Sequence, residues 1–286
     1  MMKFFVLTSL CFSIFSLNIA KGNSITALVE SSSKEHSVYH VKVINSENEA
    51  FESEARHNFQ VGLGDQSDHY IGRQIKANAV YYANQWHLES IFPKDGVGSK
   101  AYYDLNDKFH RMVKPISRRN FVQEDDYIIA FSGINQKGDF FQFKDFLGKA
   151  VVVNFIFTRC QAAKMCPAST YRMSLLQEKA KDIGLDDLHL LSITFDPEYD
   201  SPGILKQYGE SYDIEFDTFT FMTAKPQWIE DLMRYFGIVT IDQDGTINHT
   251  MATLLIDQKG RVHYRKEGSV WKVDDFLTRA QKLLKE

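Results

Sequence analysis

The sequence predicts an α/β protein in two parts, a small mostly antiparallel β domain followed by a domain in which strands and helices alternate. Residues 150–157 (AVVVNFIF) form a nearly continuous apolar run, the pattern of a strand buried on both faces. Residues 23–104 instead show period-two alternation punctuated by Gly62, Gly64 and Gly72. A hydrophobic content of 44% and an aromatic content of 13% supply enough apolar surface for a core in each part.

Residues 1–22 read as an export signal. Lys3 is a positive n-region, residues 4–20 are apolar with scattered Ser and Thr, and Ala20 and Gly22 offer a cleavage site before a polar stretch. The competing reading is an uncleaved anchor that ties the chain to a membrane, because these 17 residues are at the lower limit of a span. The serines and the abrupt polar exit favour cleavage. Both readings place the rest of the chain in the periplasm or an equivalent extracytoplasmic space. Cys11 belongs to the signal, which leaves Cys160 and Cys166 in the mature chain. The formal net charge is −4 with no basic stripe, which excludes nucleic acid as a main partner.

In the β domain (23–104), His36 to Ile44 alternates with Tyr39, Val41 and Val43 on one face. Gln74 to Pro93 reads as a hairpin: Ile75, Ala77, Ala79 and Tyr81 alternate, a turn falls at Ala83-Asn84-Gln85, and Trp86 and Leu88 resume the pattern. A barrel-like arrangement is expected. Residues 105–124, with Pro115 and the Arg118-Arg119 pair, lack a clear period and are expected to be a linker.

From residue 125 to 286 the elements follow in order. Asn135 to Gly138 is a turn and Phe143 to Gly148 a short helical step. The buried strand at 150–157 leads to a helix opened by Pro167, along which Met173, Leu175, Leu176 and Ala180 recur at helical spacing. Leu188 to Phe195 is a second buried strand ending at Asp196-Pro197. A helix near Pro202 to Tyr208, a strand at Thr218 to Met222 and a helix from Pro226 to Tyr235 come next. Thr253 to Asp257 and Val262 to Lys266 flank a turn at Gly260, and Val273 to Leu284 is a closing amphipathic helix. A parallel βαβ beginning joined to a hairpin and a terminal helix is the thioredoxin order.

The chemistry is expected in residues 158–167 (TRCQAAKMCP), between a buried strand and a helix. A helix N-terminus carries unpaired N–H groups and partial positive charge, which favour a thiolate, and Arg159 and Lys164 would add to this. Two thiols in one loop can form a disulfide, act as a redox dithiol or bind a metal. A purely structural disulfide would close only a short loop and gain little. The placement at a strand-to-helix switch favours function.

These residues, together with LLSITFDPEYDSP (190–202) and INHTMATLLIDQKG (247–260), make the segment from Asp125 to the C-terminus resemble the Sco/SenC family. The resemblance implies a thioredoxin-like copper chaperone for cytochrome c oxidase assembly, in which two cysteines and a distant histidine bind one copper ion. The matching positions are Cys160, Cys166 and His249. Thiolates suit Cu(I) and imidazole suits Cu(II), although zinc accepts the same donors. The family usually has three residues between its cysteines and a proline after the first. Here five residues intervene and Gln161 follows Cys160, so the loop is wider. Where thiol–disulfide enzymes of this fold carry a proline before the hairpin, this chain reads Met251-Ala252-Thr253, with His249 nearby.

Two activities therefore compete. One is copper delivery to the copper-centre subunit of cytochrome c oxidase or to another exported cuproprotein, with a thiol–disulfide reductant keeping Cys160 and Cys166 reduced. The other is a thiol–disulfide oxidoreductase, with Cys160 attacking and Cys166 resolving, which needs no His249. A peroxiredoxin-like activity lacks its expected proline-containing motif. Met165 is expected to pack, Asp196 to cap its turn or to position a loop near the site, and Glu198 and Asp200 to be solvated. His36 and His40, four apart in a strand, are about 13 Å from each other and do not share an ion. His57, His69, His87, His110, His189 and His263 are expected to be unexceptional, and Trp86 and Trp271 to pack.

Overall fold

The structure, a computed structural model, describes residues 23–33, 35, 37–114, 120–243 and 246–285, with backbone alone at 23 and 240–249. The expected signal, residues 1–22, and His36 lie outside the described residues.

Five strands build the N-terminal domain: β1 (Asn23–Ser33), β2 (Val38–Ser46), β3 (Arg56–Val61), β4 (Gln74–Tyr82) and β5 (Gln85–Pro93). They close into a barrel in the order β1-β2-β3-β5-β4. β1 is antiparallel to both β2 and β4, and closure runs through a short parallel contact in which Gln60 faces His87 and Val61 faces Leu88. This connectivity is that of a five-stranded OB-type barrel. Alternation decides what goes inside: Ile25, Ala27 and Val29 from β1, Tyr39, Val41 and Val43 from β2, and Ile75, Ala77 and Ala79 from β4 are all buried. The β4–β5 turn uses left-handed backbone at Ala83 and Asn84 (φ 49° and 61°), the twist that a two-residue hairpin requires.

The next element is a helix, α1 (Ser99–Val113), where an aperiodic linker was expected from residue 105. Tyr102, Asn106, Phe109 and Val113 recur at helical spacing and are buried. Asn106 donates to the Ser132 carbonyl (2.9 Å) and accepts from the Ser132 N–H (3.0 Å), which fastens α1 to the C-terminal domain. His110 Nδ1 adds a 2.7 Å contact to Asp231.

The C-terminal domain continues with β6 (Ser132–Asn135), β7 (Phe140–Gln142), β8 (Ala150–Ile156), α2 (Cys166–Asp182), β9 (Leu188–Thr194), α3 (Pro202–Glu210), β10 (Phe219–Thr223) and α4 (Pro226–Phe236). A small hairpin of β11 (Thr240–Gln243) and β12 (Thr246–His249) follows, then β13 (Ala252–Ile256), β14 (Val262–Glu267) and α5 (Val273–Lys285). Seven strands form one sheet in the order β14-β13-β8-β9-β10-β6-β7. β8 and β10 are both parallel to β9, whereas β13 runs antiparallel to β8. Every residue of β8, β9, β10 and β13 is buried, as helices on both faces demand. The sheet is thioredoxin-like, and its parallel strands all end at the edge that carries the cysteine loop.

The two domains touch through close backbone approach. The 3-10 turn Leu63–Asp65 of the barrel lies against the first turn of α3. A Cβ on Gly64 would overlap the Gly203 carbonyl, and one on Gly203 would overlap the Asp65 carboxylate, so both positions require glycine. Among the described residues no helix is long and apolar enough to cross a membrane.

Candidate functional site

The cysteine loop begins where β8 leaves the sheet. Phe157 packs on Phe195 at the end of β9 (4.9 Å between ring centroids), so the loop departs from a fixed point. Asp200 then anchors it. This carboxylate is fully buried and accepts hydrogen bonds from the Thr158 N–H (3.2 Å), the Thr158 hydroxyl (2.5 Å) and the Thr194 hydroxyl. Burial pushes its pKa up to about 6 against the pull of those donors. Asp200 is thus a structural anchor and not the solvated loop residue that the sequence suggested; Glu198, two positions earlier, is exposed.

Asp196 also takes part. It accepts from Arg159 Nε at 2.8 Å and sits 2.6 Å from Arg159 Nη2, while the guanidinium lies 4.6 Å over the Tyr199 ring. The Asp196 carbonyl accepts from the Tyr199 and Asp200 N–H groups, so it forms its turn and positions the loop at once. Arg159, expected to favour a thiolate directly, is instead paired with this carboxylate.

Cys160 follows, half-buried, and residues 161–164 are exposed. Met165 caps α2 without a side-chain hydrogen bond, and Cys166 opens the helix fully buried. Five intervening residues do not keep the cysteines apart: the Cys166 side chain hydrogen-bonds that of Cys160. This contact, followed by burial, raises the Cys166 pKa well above the usual thiol range, and main-chain hydrogen bonds of Phe157 and of Cys166 itself oppose the shift without reversing it. The helix N-terminus therefore does not make Cys166 acidic. The buried thiol keeps its proton.

Beneath the loop, a network that the sequence reading missed ties α2 to the sheet. Asn154 of β8 donates to Ser169 Oγ (3.1 Å) and accepts from Ser192 Oγ (2.5 Å), and all three residues are buried. The polar Asn154 inside the apolar run AVVVNFIF was its visible signal.

His249 ends β12, where its backbone faces Thr240; its side chain lies outside the described residues. Thr250 fastens the root of this hairpin, donating from N–H to the Val239 carbonyl and accepting from the Val239 N–H, each at 2.9 Å. Leu254 of β13 faces Val153 and Ile256 faces Val151, so the chain between His249 and β13 runs along the C-terminal end of β8, the end that bears the cysteines. Among the described residues no group of three or more His, Cys, Asp or Glu side chains converges on a metal position.

His40 and His189 have structural settings. His40 Nδ1 lies 2.6 Å from Asn58. His189 is buried, stacks on Phe146 and contacts the Thr220 hydroxyl at 2.9 Å, and burial lowers its pKa to about 4. Trp86 packs against the barrel core, and Trp271 is buried beside Phe276.

Comparison with known proteins accounts for the C-terminal domain. Residues 121–280, more than half of the chain, match the SCO1/SenC family. The SCO1 protein homolog of Bacillus subtilis is 30% identical over 136 residues, covering 46% of this chain and 69% of that protein. A SCO2-like protein of Rickettsia typhi is 27% identical over 175 residues, covering 57% of this chain and 83% of its own. Among solved structures, a SCO1/SenC family lipoprotein of Bacillus anthracis is 29% identical with a TM-score of 0.51, covering 56% of this chain and 95% of that one. The structure of BsSco, described as a member of the Sco family of cytochrome c oxidase assembly proteins with a disulfide switch, is 25% identical with a TM-score of 0.50, covering 58% and 98%. With its ordered motifs, its thioredoxin-like sheet and its paired thiols at the end of β8, the chain belongs to the SCO1/SenC family.

Proposed function

We propose that this protein is an exported, Sco-type copper chaperone that takes up one copper ion as cargo on Cys160, Cys166 and His249 and passes it to the copper-centre subunit of cytochrome c oxidase or to another exported cuproprotein. The observation that carries this reading is the contact between the two thiols at the active edge of the sheet. Two sulfurs already in contact need little rearrangement to share a soft cation, and the wider loop still brings them together. The β12 segment bearing His249 leads into the strand beside β8, which suits a third, nitrogen donor. Copper leaves by exchange onto the acceptor's own ligands. Loading needs both thiols, so a Cys160–Cys166 disulfide blocks uptake and a reductant restores it. The kinship with a SCO1/SenC lipoprotein and with a cytochrome c oxidase assembly protein supports an extracytoplasmic site of action on oxidase assembly.

A second reading is favoured by the asymmetry of the pair. Cys160 is half-buried whereas Cys166 is fully buried and held protonated. That is the arrangement of an attacking and a resolving cysteine in a reductase of copper-ligand thiols.

Copper titration of the reduced, signal-free protein against a His249→Ala variant separates the two. The chaperone reading expects one copper per chain, bound at least about tenfold more weakly in the variant, with disulfide exchange intact. Equal binding by both proteins, or none by the wild type, removes the three-ligand site and leaves the dithiol enzyme.

A further inference from the structure

A groove of about 780 Å³ lies between the barrel and the C-terminal domain. Its floor is apolar, made by Phe92 of β5, Tyr102 and Tyr103 of α1, and Ile134 of β6. One wall is the outer face of β4 and β5, and the other is the pair of loops that follow β9 and β10, through Pro197-Glu198 and Ala224 to Gln227. Both loops leave the parallel sheet at its C-terminal edge, where α/β proteins gather their ligands. The cysteine loop leaves β8 at that same edge. Glu198 at the end of the groove adjoins Tyr199, the ring on which Arg159 stacks one residue before Cys160. The groove therefore opens at the same edge of the sheet as the cysteine loop, and the barrel supplies one of its walls.

Its charge selects an occupant. Lys76, Lys94 and Lys225 are exposed along the groove, and none of them forms a salt bridge among the described residues. Lys225 is held over the rings of Tyr103 (4.5 Å) and Trp228 (4.7 Å), which fixes one cation above the apolar floor. Glu198 is the lone acid of the lining. In a chain of net charge −4, three lysines against one acid make this groove locally positive.

We infer that the groove docks an acidic, aromatic-bearing polypeptide segment of the protein on which Cys160 acts, so that the barrel serves as a substrate-recognition wall. The part of this inference that concerns delivery to Cys160 rests on the dithiol reading above. Docking puts a partner cysteine within reach of the Cys160 sulfur. In exchange, that sulfur attacks the partner's disulfide, a new Cys160–partner S–S bond forms, and the displaced sulfur leaves as a thiolate. Cys166 then gives up its proton, closes the Cys160–Cys166 disulfide and frees the partner thiol.

Two probes with fluorescein on the N-terminal amine test this: fluoresceinyl-Glu-Leu-Glu-Phe-Glu-Gly-Ser-amide and its counterpart with Lys for each Glu. Anisotropy titrations use the signal-free chain, a variant combining Lys76→Glu, Lys94→Glu and Lys225→Glu, and a neutral variant with Gln at the three positions. The wild type is expected to bind the acidic probe roughly fivefold or more tightly than the basic one at low salt, with the difference fading at high salt. The Gln variant should lose that preference and the Glu variant should reverse it. Equal binding of the two probes, or a preference unchanged in both variants, overturns the groove whatever the thiols do. Reaction of the reduced wild type with neutral 2,2′-dithiodipyridine, followed by release of pyridine-2-thione, tests the dithiol separately. Failure there contradicts exchange at Cys160 and leaves the docking result standing.

Discussion

The barrel and the C-terminal sheet bury their side chains by opposite patterns, and the contrast explains why the chemistry sits in only one of them. In the barrel β2 and β4 turn alternate residues inward, and the closed ring leaves no strand ends converging on one point. In the sheet, β8, β9 and β10 bury every residue under helices, and only the loops at their ends reach solvent. Reactive groups must then be carried on those loops, and the sheet fixes the loops in register. Cys160, Cys166, Asp196 and Asp200 all lie on segments that follow β8 or β9. The barrel contributes no sulfur and none of the anchors, but it presses on α3, which starts two residues after Asp200.

If this division holds, the largest effect comes from the loop itself. Cys160→Ser should lower the rate of exchange with small disulfides by at least about 100-fold, because the remaining Cys166 is fully buried. Thermal unfolding followed by the barrel's Trp86 should not move. A variant that keeps fast exchange would reverse the assigned order of the two thiols.

Next in size is the anchor. Asp200→Ala leaves the Thr158 N–H and the Thr158 and Thr194 hydroxyls without their acceptor, and should cost about 2 to 3 kcal/mol in denaturant unfolding of the C-terminal domain. A loss below half a kilocalorie would mean that Asp200 merely occupies the space.

The domain contact should respond less. Gly203→Ala places a methyl against the Asp65 carboxylate and should cost about 1 to 3 kcal/mol, read as earlier proteolytic release of the barrel while the core of the C-terminal domain stays protected from hydrogen exchange.

A further effect concerns pH. Asp65 is buried at this contact, one of its carboxylate oxygens has no hydrogen-bond partner, and burial raises its pKa to about 7 against the pull of Lys206. The folded state therefore holds a proton that the unfolded chain loses near pH 4. The stability due to Asp65 is greatest at low pH and declines as pH rises from about 4 to 7. Asp65→Asn should flatten that part of the stability curve; an unchanged slope would show that water or movement solvates the carboxylate.

How much of this could be read in the sequence follows from the same contrast. The continuous apolar run of β8 and the alternation of β2, β4 and β5 are one-dimensional patterns, and those elements fall within a residue or two of where they were expected. The spacing of Tyr102, Asn106, Phe109 and Val113 was equally visible, but Asp, Lys, Arg and His between them disguised α1 as an aperiodic linker. Asp200 was misread because two of its donors lie on Thr158, 42 residues away, beyond any local window. The pairing of Arg159 with Asp196 and the fit of Gly64 against Gly203 are likewise tertiary facts. The cysteine pair was legible in residue type and placement, whereas the direction of the Cys166 shift was not, since it depends on the neighbouring thiol and on depth.

On the copper-chaperone reading, Cys160, Cys166 and His249 hold one copper ion together. X-ray absorption at the copper edge of the reduced chain loaded with one equivalent tests it most directly, with His249→Ala beside the wild type. Two sulfur scatterers and one imidazole nitrogen are expected in the wild type, with the imidazole signature lost in the variant and both sulfurs kept. A single sulfur, or a spectrum that is identical in the two proteins, would contradict it.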